Sequence, residues 1–359
     1  MNPAPLPVDE PAGLTLEWVQ SALAAAGFDA TVTRVEVSPV GTGQMSATFR
    51  VRYQVTSPVE GLPESVVVKI ASPEPRLRQQ AASGYRNEID FYAELAPTVA
   101  IRVPRCYLAV ASPDAASFTL VLEDIAAAAQ GDQIAGATVE TVLSAARNLA
   151  GLHGPRWCDP SLREARWVRL ADPGMHDLIG AAMVGAVPQL AERLGPALSA
   201  DNRATLESAA EALPAFLGTR AHRFAPIHGD YRLDNLLFGP GGEVCAVDWQ
   251  TLSIGLPARD LAYLTGTCLS VPDRRAAEAD VISAYCAELK RHGVSGYSLS
   301  ECFDDYRVAL LHCPMIIVLG AVYGVRTERG DAMFATMIER SCQAIRDNDT
   351  LAALHELRQ

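Results

Sequence analysis

The sequence lacks an excess of basic residues. It has 30 Lys and Arg against 42 Asp and Glu, which gives a formal net charge of −12. A protein that binds nucleic acid needs a basic face to displace the counterions of the phosphates, so we expect no nucleic-acid partner. An acidic chain would suit a cationic small molecule, but net charge bears mainly on solubility and association rate.

Paired cysteine motifs are also missing. The eight cysteines include no CxxC pair, so neither a zinc ribbon nor a thioredoxin-like site is expected. Most of the cysteines stand in apolar, helix-like stretches, where a buried thiol packs as a small hydrophobic side chain. This pattern favours reduced cysteines in a cytoplasmic protein.

Segments for export or membrane insertion are not evident. The N-terminal MNPAPLPVDE has no basic region followed by an apolar run, so no signal peptide is expected. The longest uncharged apolar stretch, residues 313–325, is shorter than the roughly 20 residues that a membrane span requires. We expect a core helix there and no membrane span.

The apolar content, by contrast, is ample. Hydrophobic residues make up 49% of the chain, and its glycines and prolines are scattered, which excludes a disordered or collagen-like protein. A length of 359 residues suggests two domains or one large bilobal domain. The sequence predicts no particular oligomeric state.

Up to about residue 120 the pattern is mainly that of strands. Residues 49–55 alternate between apolar and polar side chains, and residues 65–71 are nearly all apolar. A helix is predicted over about 81–95, where apolar residues recur at helical spacing.

Beyond residue 125 the pattern becomes helical. A β-like island interrupts it at 226–249, where a GPGG turn predicts a hairpin. The predicted helices cover residues 138–153, 174–195, 200–218, 258–270, 273–292, 298–325 and 331–356. The whole pattern predicts an α+β protein.

The β-like island carries the pattern H-x-D-x-x-x-x-N, from His228 to Asn235, with another aspartate at Asp248. Phosphoryl transfer needs one carboxylate to orient the attacking hydroxyl, and an amide and a second carboxylate to hold Mg²⁺ against the phosphates. Asp230, Asn235 and Asp248 supply this set. A role in capping turns would explain Asp230 alone but not the whole string.

This string resembles the catalytic loop of the aminoglycoside phosphotransferase/choline kinase family, and within it the ecdysteroid-kinase-like (CHK-like) small-molecule kinases. The resemblance covers about residues 30–325. It implies a bilobal protein-kinase-like fold with a small β-rich N-lobe and a large, mainly helical C-lobe. The lobes would be residues 1–122 and 127–359, joined by a linker at 123–126. ATP and Mg²⁺ are the implied cofactors.

The kinase-like fold requires a lysine on the third strand, paired with a glutamate on the following helix. Lys69 lies in the apolar strand VVVKIA, and Glu88 follows 19 residues later in the predicted helix. A charge in the middle of such a strand is costly to bury without a partner. The resemblance implies that Lys69 binds the ATP phosphates; an exposed lysine on the strand is the alternative.

Two further nucleotide contacts are implied by the same resemblance. Gly41, Gly43 and Ser46 stand where a phosphate-covering loop would lie, although an ordinary hairpin turn fits the same letters. Backbone groups of Glu123 and Ile125 would bond the adenine edge. For the side chain of Asp124, between them, we expect a solvated or helix-capping role.

Two residues are expected to support the catalytic loop. His228 should orient it by hydrogen-bonding its backbone, in preference to acting as a general base. Asp260, in the family-like segment GLPARDL, should cap a helix or hold the loop.

The predicted activity is an ATP- and Mg²⁺-dependent transfer of the γ-phosphate to a hydroxyl of a small molecule. A protein kinase is disfavoured because Asp248 is followed by Trp249 and Gln250 and because no Ala-Pro-Glu segment appears. A nucleotide-binding pseudokinase would have lost one of the key residues, and none is lost.

An aminoglycoside-resistance kinase is the other alternative. Such an enzyme lines its pocket with carboxylates, and the later helices carry several, although acids that alternate with Arg and Lys usually form solvated faces. These acids are Asp273, Glu278, Asp280, Glu301, Asp304 and Asp305. An apolar hydroxylated metabolite remains an equally good acceptor at this point.

Overall fold

A computed structural model describes residues 5–41, 45–165 and 173–357. The chain divides into two compact units, one rich in strands and one mainly helical. The first comprises Met1–Pro97, Val103–Ala127 and Asp248–Leu252, and the second Thr98–Arg102, Ala128–Val247 and Ser253–Gln359. The predicted interlobe linker at 123–126 stays a prediction.

The strand-rich unit is built on one antiparallel sheet of five strands in the order β1-β2-β3-β5-β4. The strands are β1 (Val32–Pro39), β2 (Ser46–Val55), β3 (Ser65–Ala71), β4 (Cys106–Ala111) and β5 (Phe118–Glu123). In the centre of the sheet, Lys69 of β3 pairs in register with Thr48 of β2 and Leu120 of β5. Its neighbours Val68 and Ile70 are buried in the core.

Two helices complete this unit, α1 (Leu16–Ala25) and α2 (Pro75–Asp90). Helix α1 packs its buried Val19 and Leu23 into the same core as β3. Helix α2 begins six residues before the predicted start at about 81, because proline at a first helical position is favoured by its fixed φ and missing N–H. A π-helical turn, Phe91–Leu95, continues it.

The helical unit contains nine α-helices in the part of the chain that the structure describes. They are α3 (Val139–His153), α4 (Pro173–Leu194), α5 (Ala200–Leu217), α6 (Ala258–Cys268), α7 (Val271–Arg291), α8 (Leu299–Ala309), α9 (His312–Tyr323), α10 (Glu328–Asp347) and α11 (Thr350–Glu356). Thr138 caps α3, its side chain accepting a hydrogen bond from the Thr141 N–H.

Two of the predicted helices are each divided in two. The helix predicted over 298–325 breaks between α8 and α9, since Pro314 cannot donate the backbone hydrogen bond that a continuous helix needs. The helix predicted over 331–356 breaks at Asp349, whose φ of 48° lies in the left-handed region.

One stretch of the described residues, Leu299–Tyr323, is long and apolar enough to cross a membrane by composition. It consists of α8 and α9 and is 67% buried inside the protein in its most apolar part. Burial of this extent is typical of a core helix, which agrees with the expectation for residues 313–325.

Short strands frame the predicted catalytic loop. These are β6 (Ala129–Gln130), β7 (Ala225–Ile227), β8 (Leu236–Phe238), β9 (Val244–Ala246) and β10 (Ser253–Gly255). Strands β8 and β9 form the hairpin predicted from the GPGG turn. Strand β7 pairs with β10 and β8 also pairs with β6, two pairings too short for a sequence period to reveal. The loop 228–235 is therefore anchored at both ends by strands.

Candidate active site

The carboxylate of Asp260, at the start of α6, holds the backbone of the loop 228–235. Asp260 accepts hydrogen bonds from the N–H groups of His228 (2.6 Å) and Gly229 (2.8 Å). Its side chain is fully buried. Burial opposes ionisation, but the hydrogen bond and charge of His153 outweigh it and keep the pKa of Asp260 below its ordinary value. The role expected for Asp260 in holding the loop matches these contacts.

His228 bonds backbone on both sides of its ring. Its Nε2 lies 3.1 Å from the carbonyl oxygen of Val247, and its Nδ1 lies 3.3 Å from the Asp230 N–H. Because Nδ1 accepts a hydrogen bond from a backbone donor, Nε2 is the nitrogen that donates to the Val247 oxygen. These contacts are the ones that an orienting histidine makes, and they leave neither ring nitrogen available to take a proton from a substrate.

The carboxylate of Asp230 is positioned by two side chains of its own loop. The amide nitrogen of Asn235 donates to the backbone oxygen and to Oδ2 of Asp230, both at 2.9 Å. The Arg232 Nε donates to Oδ1 at 3.0 Å and to Oδ2 at 3.2 Å. The side chain of Asp230 remains 21% exposed. A held but accessible carboxylate can accept a proton from a bound hydroxyl.

Arg232 is a site residue that the sequence analysis missed. Besides Asp230, it binds Asp234 through Nη1 at 2.7 Å. Asp234 in turn accepts two hydrogen bonds from Arg329 of α10, at 3.0 and 3.1 Å. The available signal was a basic residue two positions after Asp230, which could equally have been a surface charge.

Asparagine at position 260 (D260N) is expected to destabilise the protein by about 2–4 kcal/mol and to lower kcat more than it changes KM for nucleotide. The amide of asparagine can accept only one of the two loop N–H bonds and leaves a buried donor pointing at another donor. Denaturant unfolding and steady-state kinetics measure both effects. Unchanged stability and kcat would show that Asp260 does not hold the loop.

In the strand-rich unit, Lys69 lies between two carboxylates. Its Nζ donates to Glu88 at 2.7 and 2.9 Å and to Asp248 at 3.0 Å. Lys69 and Glu88 are buried, whereas the Asp248 side chain is 41% exposed. Burial disfavours the charged amine, but the charges of Asp248 and Glu88 outweigh it and raise the pKa of Lys69 to about 12. The structure thus forms the Lys69–Glu88 pair that the sequence predicts.

Asp248 belongs to this unit because the residues after it pack there. The Trp249 ring stacks on Phe91 with a centroid distance of 3.6 Å, and the Trp249 N–H points to Glu88 at 3.4 Å. The backbone of Asp248 is left-handed, with a φ of 68°, a strained conformation for a residue other than glycine. Strain of this kind persists only where surrounding contacts impose it, and here it points the carboxylate at Lys69.

The predicted phosphate loop is described only at its ends. Gly41 has a φ of +75°, which glycine adopts without strain, and Ser46 is buried at the start of β2. The Ser46 Oγ lies 3.4 Å from the amide nitrogen of Gln250. Gly43 lies outside the described residues.

The end of β5 carries the residues predicted to face adenine. Glu123 exchanges hydrogen bonds with Arg105, its N–H donating to the Arg105 oxygen at 2.8 Å and its side chain accepting from the Arg105 N–H at 3.0 Å. Ile125 follows β5 and is half-buried.

The expectation for Asp124 was wrong. Its side chain is 3% exposed and neither caps a helix nor faces solvent. It accepts hydrogen bonds from Arg50 at 2.6 and 3.0 Å and from Ser65 at 2.6 Å. Arg50 and Ser65 stand on neighbouring strands that only the folded sheet brings to the end of β5, so local sequence could not reveal the contact.

Three of the six acids predicted as possible pocket carboxylates are engaged in ion pairs. Arg223 binds Asp305 through Nη1 at 2.9 Å, and its other Nη binds Glu301. Glu278 accepts from Arg274 at 2.7 Å. Arg223 joins α8 to the segment before β7, and Arg274 and Glu278 pair within α7, so these three acids do not present unneutralised carboxylates to an amine.

Comparison with models of protein families shows to which family the chain belongs. The model of the phosphotransferase enzyme family (APH) matches residues 36–297, which include Lys69, Glu88, the loop and Asp248. The chain belongs to this family. It is therefore a phosphotransferase by descent, and the resemblance drawn from the catalytic loop is confirmed. The narrower placement near the ecdysteroid-kinase-like branch stays a prediction.

Solved structures of similar fold support the fold class. A type I macrolide 2′-phosphotransferase is 14% identical with a TM-score of 0.54, over 89% of this chain and 96% of the other. The GDP complex of aminoglycoside 2′-phosphotransferase-IIIa is 15% identical with a TM-score of 0.52, over 92% and 98%. A Plasmodium vivax ethanolamine kinase is 12% identical with a TM-score of 0.51, over 88% and 84%. At these identities the similarity establishes the kinase-like α+β fold and no more. Among curated proteins, none matches the chain.

Proposed function

We propose that this phosphotransferase moves the γ-phosphate of ATP to a hydroxyl of a small molecule, with Mg²⁺ as the metal. The arrangement of Asp230 is the observation that carries the proposal: a partly exposed carboxylate fixed by Asn235 and Arg232, on a loop that Asp260 holds by two N–H bonds. In a phosphoryl transfer the enzyme mainly positions the reactants and neutralises charge, and a fixed carboxylate orients the attacking hydroxyl.

In this proposal Asp230 is the catalytic residue. The acceptor oxygen forms a bond to the γ-phosphorus as the bond to the ADP oxygen breaks, and the hydroxyl proton passes to the Asp230 carboxylate. The Arg232 Nε, 3.0 Å from Oδ1 of the same carboxylate, fixes its orientation. His228 keeps the backbone between Asp230 and Val247 in place.

The donor set fits Mg²⁺, which binds oxygen and commonly takes only one or two protein carboxylates along with substrate phosphates. Asn235 and Asp248 are the proposed ligands. The amide nitrogen of Asn235 is turned to Asp230, so its carbonyl oxygen is the atom left for a metal. No cluster of three or more His, Cys, Asp or Glu occurs among the described residues. When bound, the metal would neutralise charge on the phosphates.

Lys69 is the proposed partner of the nucleotide α- and β-phosphates, with Glu88 holding its amine in place. Its raised pKa, about 12, keeps it positively charged throughout the neutral range. The backbones of Gly41, Gly43 and Ser46 would approach the phosphates, and those of Glu123 and Ile125 the adenine. The aminoglycoside 2′-phosphotransferase-IIIa of similar fold was solved as a GDP complex, which is one reason to test both ATP and GTP.

Two alternatives are less well supported. A cationic aminoglycoside needs unneutralised carboxylates, yet Asp305 and Glu301 are paired with Arg223 and Glu278 with Arg274. A pseudokinase would have lost part of its machinery, and Lys69, Asp230 and Asn235 are all present and bonded. A cytoplasmic location is also part of the proposal, and it is supported by eight cysteines that are all free thiols.

Acceptor-dependent release of ADP or GDP is the test of this function. We expect turnover with ATP and Mg²⁺ when a panel of hydroxylated acids, amino alcohols, sugars and sterols is screened, and loss of turnover in EDTA. Nucleotide binding without any acceptor-dependent release across the panel would favour the pseudokinase. Full turnover in EDTA would contradict the role of the metal.

A further inference from the structure

Arg259, the residue before Asp260 in α6, is a half-buried cation to which no carboxylate of the described residues is bonded. Its guanidinium lies over the Phe216 ring, 4.9 Å from the centroid, and Nη2 donates one long hydrogen bond of 3.4 Å to the Leu217 oxygen. Its Nε is buried and has no hydrogen-bond partner among the described residues. The N–H direction of Nε is thus left unused.

This arrangement is unusual for an arginine in this protein. Arg274 is buried and Arg223 and Arg232 are half-buried, and each of the three binds two carboxylates. A buried charge is costly unless a counter-charge and hydrogen bonds compensate for it. Burial lowers the pKa of Arg259 to about 10, and the nearby Asp260 acts only partly against it. Asp260 already serves the two loop N–H groups.

The Arg259 guanidinium packs closely against the backbone of β10. A Cβ added to Gly255, the last residue of β10, would stand 3.1 Å from the Arg259 Nη1 and 3.1 Å from the Ile227 side chain. Contacts of this length are tighter than side chains normally make, so glycine at 255 is what allows the group to lie there. Strand β10 pairs with β7, which leads directly into the catalytic loop.

A second unsatisfied group, on His312, is in contact with the loop. The His312 Nε2 bonds the Gly229 oxygen at 2.9 Å, so Nε2 carries the proton and Nδ1 is an acceptor. Nδ1 is buried and has no partner among the described residues. The His312 ring is close enough to both Arg259 and Asp230 to be influenced by their charges. Among the described residues, the region beside the catalytic loop therefore contains an arginine with no carboxylate bonded to it and an imidazole nitrogen with no donor.

We propose that Arg259 binds a carboxylate of the acceptor, so that the substrates of this enzyme are hydroxy acids. This inference rests on the proposed function, because it takes Asp230 as the residue that receives the hydroxyl proton. A carboxylate would accept hydrogen bonds from the guanidinium and supply the missing negative charge. The His312 Nδ1 can accept a hydrogen bond from a second hydroxyl or a water in the same region.

Binding of matched probes tests the proposal without relying on turnover. The probes are 4-hydroxybutyrate, 6-hydroxyhexanoate and 10-hydroxydecanoate, each compared with its primary amide, by calorimetry in the presence of Mg²⁺ and a non-hydrolysable ATP analogue. We expect at least one acid to bind about tenfold or more tightly than its amide, a preference that R259Q abolishes. Equal binding of acid and amide, no binding of any acid, or full acid binding by R259Q would overturn the proposal.

Arg163 offers a matched control. Its guanidinium also lies over an aromatic ring, Phe224, at 4.2 Å, and also donates to a backbone oxygen, that of Ala221, at 3.4 Å. R163Q is expected to keep the preference for the acid. If R259Q does not fold, Gly255→Ala replaces it, since the added Cβ presses on the guanidinium and should weaken acid binding several-fold.

Turnover separates failure of this inference from failure of the proposed function. Acceptor-dependent ADP release with amino alcohols or sugars but not with acids would leave the kinase activity standing and overturn the hydroxy-acid assignment. Binding of acids lost in R259Q, with no ADP release from any acceptor, would support the carboxylate site and contradict the kinase activity.

Discussion

Asparagine at position 230 (D230N) is expected to reduce kcat by about 10²–10⁴-fold while nucleotide affinity stays close to that of the wild type. The amide has nearly the shape of the carboxylate and can still accept one hydrogen bond from Arg232, but it cannot take up the proton of the acceptor hydroxyl. The loss should therefore be confined to the chemical step. Steady-state ADP release and calorimetric titration with a non-hydrolysable ATP analogue measure the two quantities.

D234N is the matched control for this change. Asp234 stands four residues later in the same loop and binds the same arginine, with Nη1 of Arg232 at 2.7 Å. Asp234 is not proposed to contact the reacting atoms, so we expect D234N to keep most of kcat and to lose only modest stability. Equal losses in the two variants would show that the loop is disturbed as a whole, and retained activity in D230N would rule out its catalytic role.

Methionine at position 69 (K69M) should cost about 3–5 kcal/mol of stability and most of the nucleotide affinity. Removing the amine leaves the buried Glu88 and the nearby Asp248 without the cation they share, and an uncompensated buried charge is strongly destabilising. The folded-state pKa of Lys69 is about 12, raised from 10.5. Its stabilising contribution is therefore complete below pH 10.5 and lost only as the pH rises through about 12, so assays near neutral pH compare the variants without a pH correction.

The double variant K69M/E88Q separates stability from binding. Neutralising Glu88 removes the buried charge that K69M leaves unpaired, so part of the lost stability should return in denaturant unfolding. Nucleotide affinity should not return, since the cation for the phosphates is still missing. A K69M protein as stable as the wild type, or a double variant that recovers nucleotide binding, would contradict the account of this pair.

Sequence patterns could locate the chemistry where residue type and spacing carry the signal. A lysine inside the apolar strand β3 needs a partner, and Glu88 on the next helix is that partner in the structure. The sequence pattern from His228 to Asn235 likewise predicted a loop whose residues act together. In both cases a buried charged or polar side chain needs a partner, and this requirement restricts where the side chain can lie.

Other contacts could not be read because they depend on which chain segments meet. Arg50 reaches Asp124 only through the pairing of β2, β3 and β5, and Arg329 reaches Asp234 only because α10 lies beside the loop. Arg232 and Arg259 were missed for a related reason. What distinguishes them is the surroundings of the guanidinium: two carboxylates bind Arg232, and no carboxylate of the described residues is bonded to Arg259.

Direct detection of the product tests the central claim. With ATP, Mg²⁺ and the acceptor that gives the fastest ADP release, ³¹P NMR should show a phosphate monoester formed in equal amount to ADP by the wild type, and no monoester above background with D230N. ADP accompanied only by inorganic phosphate, or the same yield of monoester from D230N, would contradict it.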